Sequence, residues 1–406
     1  MGIFGKAEKT PAQTVVEDVL KVKKNETALI IANPETTAMA QDIFTALLDA
    51  GAKPSLIFQT KKATGEAADK TVIGAIKSEP NIAISVSALK LGRDVDATSS
   101  PYTTPDGKKF DNIFDYLLDG KKTMRAVWTP GLTQDIFDRT VNIDYKQLSD
   151  RCKKICAKYE DAVSVHVTSP NGTDVIVPVQ GRSALSDNGD FSSPGSGGNI
   201  PAGEVFISPV VGVEPEDGKK SSAAKTAQDD ATQSADDGEK KEDGDVAQAL
   251  NGTQGTIVFD GSMTFAQGDA LLENYITVKV EQGFVTEVTG GKEAQRLLHD
   301  IQTAEKEALA MEAAGKLPEG SGAVYSRNAR NIGELGIGLN PAANITGNML
   351  EDEKAFRTCH FAIGENYDGD APALIHFDGV VRNPTIVINY ADGSSFTLLD
   401  RGDLKI

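Results

Sequence analysis

The hydrophobic period of this chain changes once, near residue 160, and no other feature limits the available folds so strongly. Before that point, short apolar runs alternate with helical repeats. Thr10-Pro11 places a capping residue and a proline at the head of a helix whose apolar face is Val15, Val16, Val19 and Leu20. A strand is expected over residues 27–32, then a helix over 35–50. In that helix Met39, Ile43 and Leu47 recur beside Ala40, Phe44 and Leu48 until Gly51 stops it. Further apolar runs stand at 55–58, 82–86 and 124–128, and a helix over 145–159 ends the series. Such alternation predicts an open, mostly parallel sheet with helices on both faces.

Beyond residue 160 the apolar residues alternate with period two. Val163 to Val167 and Thr173 to Val177 flank Pro170-Asn171-Gly172, a strong hairpin signal. Strands are expected again from Glu204, over 255–262, over 275–280 and over 284–288, the last two turning at Gln282-Gly283. A helix over 293–314 carries Ala294, Leu297, Leu298, Ile301 and Ala304 on one face and leaves His299 off it. The expected fold class is therefore α/β: an N-terminal open parallel sheet domain, residues 1–160, plus a C-terminal mixed α+β domain, residues 161–406. Residues 214–251 hold almost no large apolar side chains. They cannot bury enough surface to offset their ordering entropy, so a disordered acidic insertion is expected there.

With 406 residues, the chain exceeds the usual size of one core. Its net charge of −18, with no basic patch, argues against nucleic acid or an anionic membrane surface as partner. No apolar run reaches the roughly 20 residues of a membrane span, and MGIFGKAEKT lacks the apolar core of a signal peptide. The three cysteines, Cys152, Cys156 and Cys359, are an odd number and form no disulfide framework, which points to a reducing cytoplasm. The first strand–helix turn, IANPETTAMA, lacks the glycines of a dinucleotide site, and neither a phosphate-loop lysine motif nor HExxH occurs.

Chemistry concentrates in the last quarter. Only four histidines exist, yet Glu334, His360, His376 and Asp378 fall within a short stretch of it. In an extended strand His376 and Asp378 point to the same face. Imidazole and carboxylate together are the donors that hold divalent metals with a position left open for chemistry. Upstream, Glu204 enters an apolar strand from a Gly-Pro turn, and a buried carboxylate there needs a partner or a metal. His166 among valines and His299 on a helix read as ordinary packed or surface residues. The plain alternative for the whole cluster is a core of hydrogen-bonded acids and histidines. His360, His376 and Asp378 alone would suit a mononuclear non-haem iron oxygenase, whereas a second metal needs Glu204 and Glu334.

Several short motifs follow one another in a known order: Gly181-Arg182, Asn199-Ile-Pro-Ala-Gly-Glu204-Val-Phe, Phe259-Asp-Gly-Ser262, Gly333-Glu-Leu-Gly-Ile-Gly-Leu-Asn-Pro341, Glu351-Asp-Glu-Lys354, His360-Phe-Ala-Ile-Gly364 and His376-Phe-Asp-Gly379. As an ordered set over residues 160–406 they resemble the aminopeptidase T / aminopeptidase S metallopeptidases. Dihydroxypyridine dioxygenases look like distant relatives of that family. Arg357-Thr358 departs from the Gly-Thr usual before the histidine, and the interval from His360 to His376 is shorter than in the best-known members. The resemblance implies a homodimeric hydrolase that removes N-terminal residues from peptides, with a non-catalytic binding protein that kept the fold as a further alternative. It implies two divalent metal ions, zinc first with cobalt or manganese as alternatives. The implied ligands are Glu204, Glu334, His360, His376 and Asp378. It also places Tyr367 at the site and makes Glu334 or Glu353 the general base.

Overall fold

The computed structural model describes residues 9–63, 65–212 and 251–406. Residues 214–250 of the expected insertion lie outside the described residues.

The first strand–helix series forms a five-stranded parallel sheet in the order Gly197–Asn199, Arg125–Trp128, Ile82–Val86, Thr27–Ala32, Lys53–Phe58. Successive side chains of a strand point to opposite faces, and here they divide between two clusters. Ala28, Ile30, Ile82 and Ile84 pack with the helices Thr37–Asp49 and Tyr145–Lys158, while Leu29, Ile31, Ala83 and Ala126 pack with Lys70–Ile76 and the turn around Leu117. Both faces are thus covered, as the alternation predicts. The opening helix starts as α over Pro11–Thr14, under a Thr10–Gln13 capping box, then widens to a π-turn over Val15–Val19.

The fifth strand is the element that periodicity does not show. Gly197–Asn199 sits in a stretch rich in Gly, Ser and Pro, yet it pairs in parallel with Arg125–Trp128. Close approach explains the composition. A Cβ on Gly197 would lie 2.8 Å from the Ala126 carbonyl oxygen, and one on Gly198 would lie 2.3 Å from the Phe191 ring. Only glycine fits that contact.

Two large antiparallel sheets, and a two-stranded one formed by Tyr102–Thr103 and Lys109–Phe110, complete the described residues. One has eight strands, with the hairpin Ala162–Thr168 and Asp174–Pro178 at its centre and Thr385–Tyr390 beside it. The other has seven, in the order Ala270–Leu271, Ser262–Met263, His376–Arg382, Thr358–Gly364, Ile332–Gly338, Glu204–Ile207, Leu185–Asp187. Every residue of Ile332–Gly338 and Thr358–Gly364 is buried. One large core unites apolar residues from the three larger sheets.

The loop after Gly338 is tied to the first half of the chain. Asn340 Nδ2 donates to the carbonyls of Thr140, at 3.1 Å, and Ala202, at 2.9 Å. Arg139 forms a two-pronged pair with Glu351, which is fully buried, and Asn348 Nδ2 donates to the Gly131 carbonyl at 2.9 Å. A buried carboxylate anchored this way fixes the main chain that leads into Glu353 and Lys354. Among the described residues no helix is long and apolar enough to cross a membrane.

Candidate metal centre

The centre forms on one face of the seven-stranded sheet, where alternation and register converge. Glu204 pairs with Gly338, Gly336 with His360, Ala362 with Asp378 and Gly364 with His376. Residues opposite one another in register project to the same face, so four adjacent strands bring their acids and histidines together. The register runs unbroken from Glu334 to Ile337 and shifts only ahead of the glutamate, between Ile332 and Glu334.

Of the site residues expected from sequence, Glu204, Glu334, His360, His376 and Asp378 meet directly. His360 Nε2 lies 3.3 Å from Glu204 Oε2 and 3.1 Å from Glu334 Oε1. His376 Nε2 lies 3.4 Å from Glu334 Oε2 and 3.4 Å from Asp378 Oδ1. Three overlapping sets keep one ligand atom per residue within 4.8 Å of the others: Glu204, Glu334 and His360; Glu334, His376 and Asp378; Glu353, His360 and Asp378. Tyr367 stands at the rim, 60% exposed, its ring 5.4 Å from that of His376 and 5.0 Å from that of Phe206.

Other motif residues hold this arrangement from outside. Arg182 donates to Asp368, at 3.0 Å, and to Asp370, at 2.7 Å, fastening the loop that carries Tyr367. Asp260 accepts from the Arg382 amide at 2.8 Å and from Asn171 of the hairpin turn, and so joins the two antiparallel sheets. His166 is paired with Asp174 at 2.7 Å, outside the cluster, and His299 is exposed on its helix.

Do these side chains fit a metal? Glu204 Oε2 and Asp378 Oδ1 are buried, face histidines and make no hydrogen bond. Buried polar atoms without partners are costly, and a cation among them supplies the missing partner. His376 Nδ1 lies 2.8 Å from the Glu365 carbonyl oxygen, which can only accept. That contact keeps a proton on Nδ1 and turns Nε2 toward the cluster as the nitrogen free to ligate once it is deprotonated. The donor set fits divalent ions.

Sequence reading missed two participants. Lys354 is fully buried, and its ammonium lies 2.7 Å from Glu204 Oε1 and in contact with Glu353 Oε1. Asp187, opposite Glu204 in register, is buried, with Oδ1 unpartnered. Its burial pushes the carboxyl up, against the pull of Lys354. The available signal for Lys354 was its place at the end of the acidic run Glu351-Asp-Glu353, between apolar Met349-Leu350 and Ala355-Phe356.

The electrostatics follow from this crowding. Burial would lower Lys354, but Glu204, Glu353 and Asp187 outweigh it and hold the ammonium charged. Burial raises the Glu353 carboxyl to about 8 despite Lys354. Burial alone would also lower His360 and His376. Their carboxylates reverse that and raise both well above the ordinary histidine value, Glu204 and Glu334 acting on His360, Asp378 and Glu334 on His376. In the metal-free protein these carboxylates favour the protonated rings, whereas ligation requires them neutral. Zinc uptake should release protons, and affinity should climb as pH rises toward those raised values. Calorimetric titration in buffers of different ionisation enthalpy measures the proton count; heats independent of buffer would contradict the prediction.

The fold and the site define a class: an α/β layer joined to antiparallel sheets that carry a buried His/Glu/Asp cluster able to hold metal. Two of the solved structures that share the fold match over nearly their whole length. One is the 2,5-dihydroxypyridine dioxygenase from Pseudomonas putida KT2440, with TM-score 0.62 and 16% identity over 97% of this chain and 96% of that one. The other is wild-type AmpT, an aminopeptidase from Thermus thermophilus, with TM-score 0.59 and 16% identity over 98% of each chain. The chain thus has the fold common to an aminopeptidase and a dioxygenase, and similarity at this identity establishes the fold alone. No protein-family model matches the sequence, and no curated protein matches it.

Proposed function

We propose that the chain is a metal-dependent aminopeptidase that uses two divalent ions, zinc first, to remove N-terminal residues from peptides as a homodimer. One observation carries this reading: the two oxygens of Glu334 are divided between His360 and His376, at 3.1 and 3.4 Å. A carboxylate so placed bridges two donor sets, Glu204 with His360 on one side and His376 with Asp378 on the other. A second ion needs Glu204 as well as Glu334, and both belong to the cluster.

Two divalent ions held by these groups would supply a water activated at neutral pH and polarise a carbonyl oxygen. The protein's own groups do the rest. Glu334 is committed through both oxygens, so Glu353 is the carboxylate left to take a proton and return it to the leaving amine. Tyr367, at the mouth, is placed to hydrogen-bond the bound peptide.

Metal analysis of the purified protein tests the reading most directly. The expected result is close to two divalent ions per chain, with hydrolysis of a leucine anilide in added zinc or cobalt. A single iron per chain without hydrolysis would instead select ring cleavage of the dioxygenase kind, since His360, His376 and Asp378 make a two-histidine, one-carboxylate set.

A further inference from the structure

We infer that Lys354 makes the two ion subsites unequal, so that the ion beside Glu204 binds second and more weakly. This inference rests on the two-ion reading above. The two donor sets share Glu334 but differ in what lies behind them. The set of Glu204, Glu334 and His360 has a fully buried ammonium 2.7 Å from Glu204 Oε1. The set of Glu334, His376 and Asp378 has no lysine or arginine in contact with its carboxylates among the described residues.

Glu204 therefore offers one oxygen to a resident cation and only the other, the unpartnered Oε2, to an incoming ion. The ammonium has already drawn on the charge of that carboxylate and repels a second positive charge at the same group. At separations of several ångströms and an effective dielectric constant near 20, this repulsion weakens binding by about tenfold or more. On the other side, His376 and Asp378 meet an ion with their full charge.

Removing Lys354 should act chiefly through this charge. Glu204 opens a strand hydrogen-bonded on both sides, to Asp187 and to Gly338, so its backbone stays in place without the lysine. Its Oε2 continues to face His360 at 3.3 Å.

The test is calorimetric titration of chelator-stripped full-length protein with Zn2+, in the wild type and in Lys354→Met. The wild type should show two steps separated by at least about tenfold. In Lys354→Met the weaker step should tighten by about tenfold or more while the stronger one moves by less than about threefold. Glu204→Gln serves as a second variant that leaves no buried charge unpaired on the lysine-free side; it should lose the weaker step and keep the stronger. Two equal steps in the wild type, a weaker step unmoved or weakened in Lys354→Met, or a stronger step lost in Glu204→Gln would each overturn the inference. Uptake of only one ion by the wild type would defeat the two-ion reading itself, and the inference with it.

Discussion

Glu334→Gln should abolish hydrolysis of a leucine anilide and lower the metal content of the protein while leaving it folded. The side chain is nearly isosteric, so packing of the buried strand Ile332–Gly338 is retained. What changes is charge and donor capacity. The amide has one oxygen where the carboxylate has two, so it can no longer serve His360 and His376 alike. Losses of 10–100-fold are typical when groups outside the ligand shell are altered; a group placed between both donor sets should exceed that, with kcat/KM falling by more than about 100-fold. His376→Ala should do the same by removing the only imidazole of its set. The measurements are anilide hydrolysis, bound metal and circular dichroism on the same preparations. Activity unchanged in both variants would refute the site.

The residues that proved legible in sequence are those whose signal is local. The strand Ile82–Val86 and the hairpin at Asn171 follow from period and turn chemistry alone, and both stand where expected. The pairing of His376 with Asp378 follows from strand alternation in the same way. What stayed hidden depends on partners distant in the chain. Gly197–Asn199 is a strand only because Arg125–Trp128 offers it an edge and its glycines permit the approach. Lys354 looks like any surface lysine until Glu204, far upstream in sequence, is seen to lie 2.7 Å away. Buried charge is read from its neighbours, and neighbours are a property of the fold. Arg357 is a related case: a glycine is usual there in the family it resembles, and the residue takes φ 70°, in the left-handed region that glycine adopts most readily. The sequence departure is thus a backbone feature of the turn before Thr358–Gly364, and the histidine of that strand is still delivered to the cluster.

Gly336→Ala should remove an ion without touching a ligand. The sheet needs glycine here because the His360 ring lies flat across this position. A Cβ would sit 2.0 Å from His360 Nε2 and 2.2 Å from Cε1, distances no packed pair tolerates. The strand cannot retreat, because Gly336 is paired with His360 on one side and with Phe206 on the other. His360 is fully buried, so the ring has no solvent-filled space to enter and must leave its place between Glu204 and Glu334. The expected outcome is loss of one of the two ions, a fall in anilide hydrolysis of more than about 100-fold, and destabilisation by about 1–3 kcal/mol, the usual cost of overpacking a core. Gly74→Ala is the control: in the helix Lys70–Ile76 an added methyl meets nothing within 4 Å, and helix propensity should stabilise it by about 0.5–1 kcal/mol. Metal analysis decides between them. If Gly336→Ala keeps both ions and its activity, His360 is not held where a ligand must be, and the centre has to be rebuilt around His376 and Asp378.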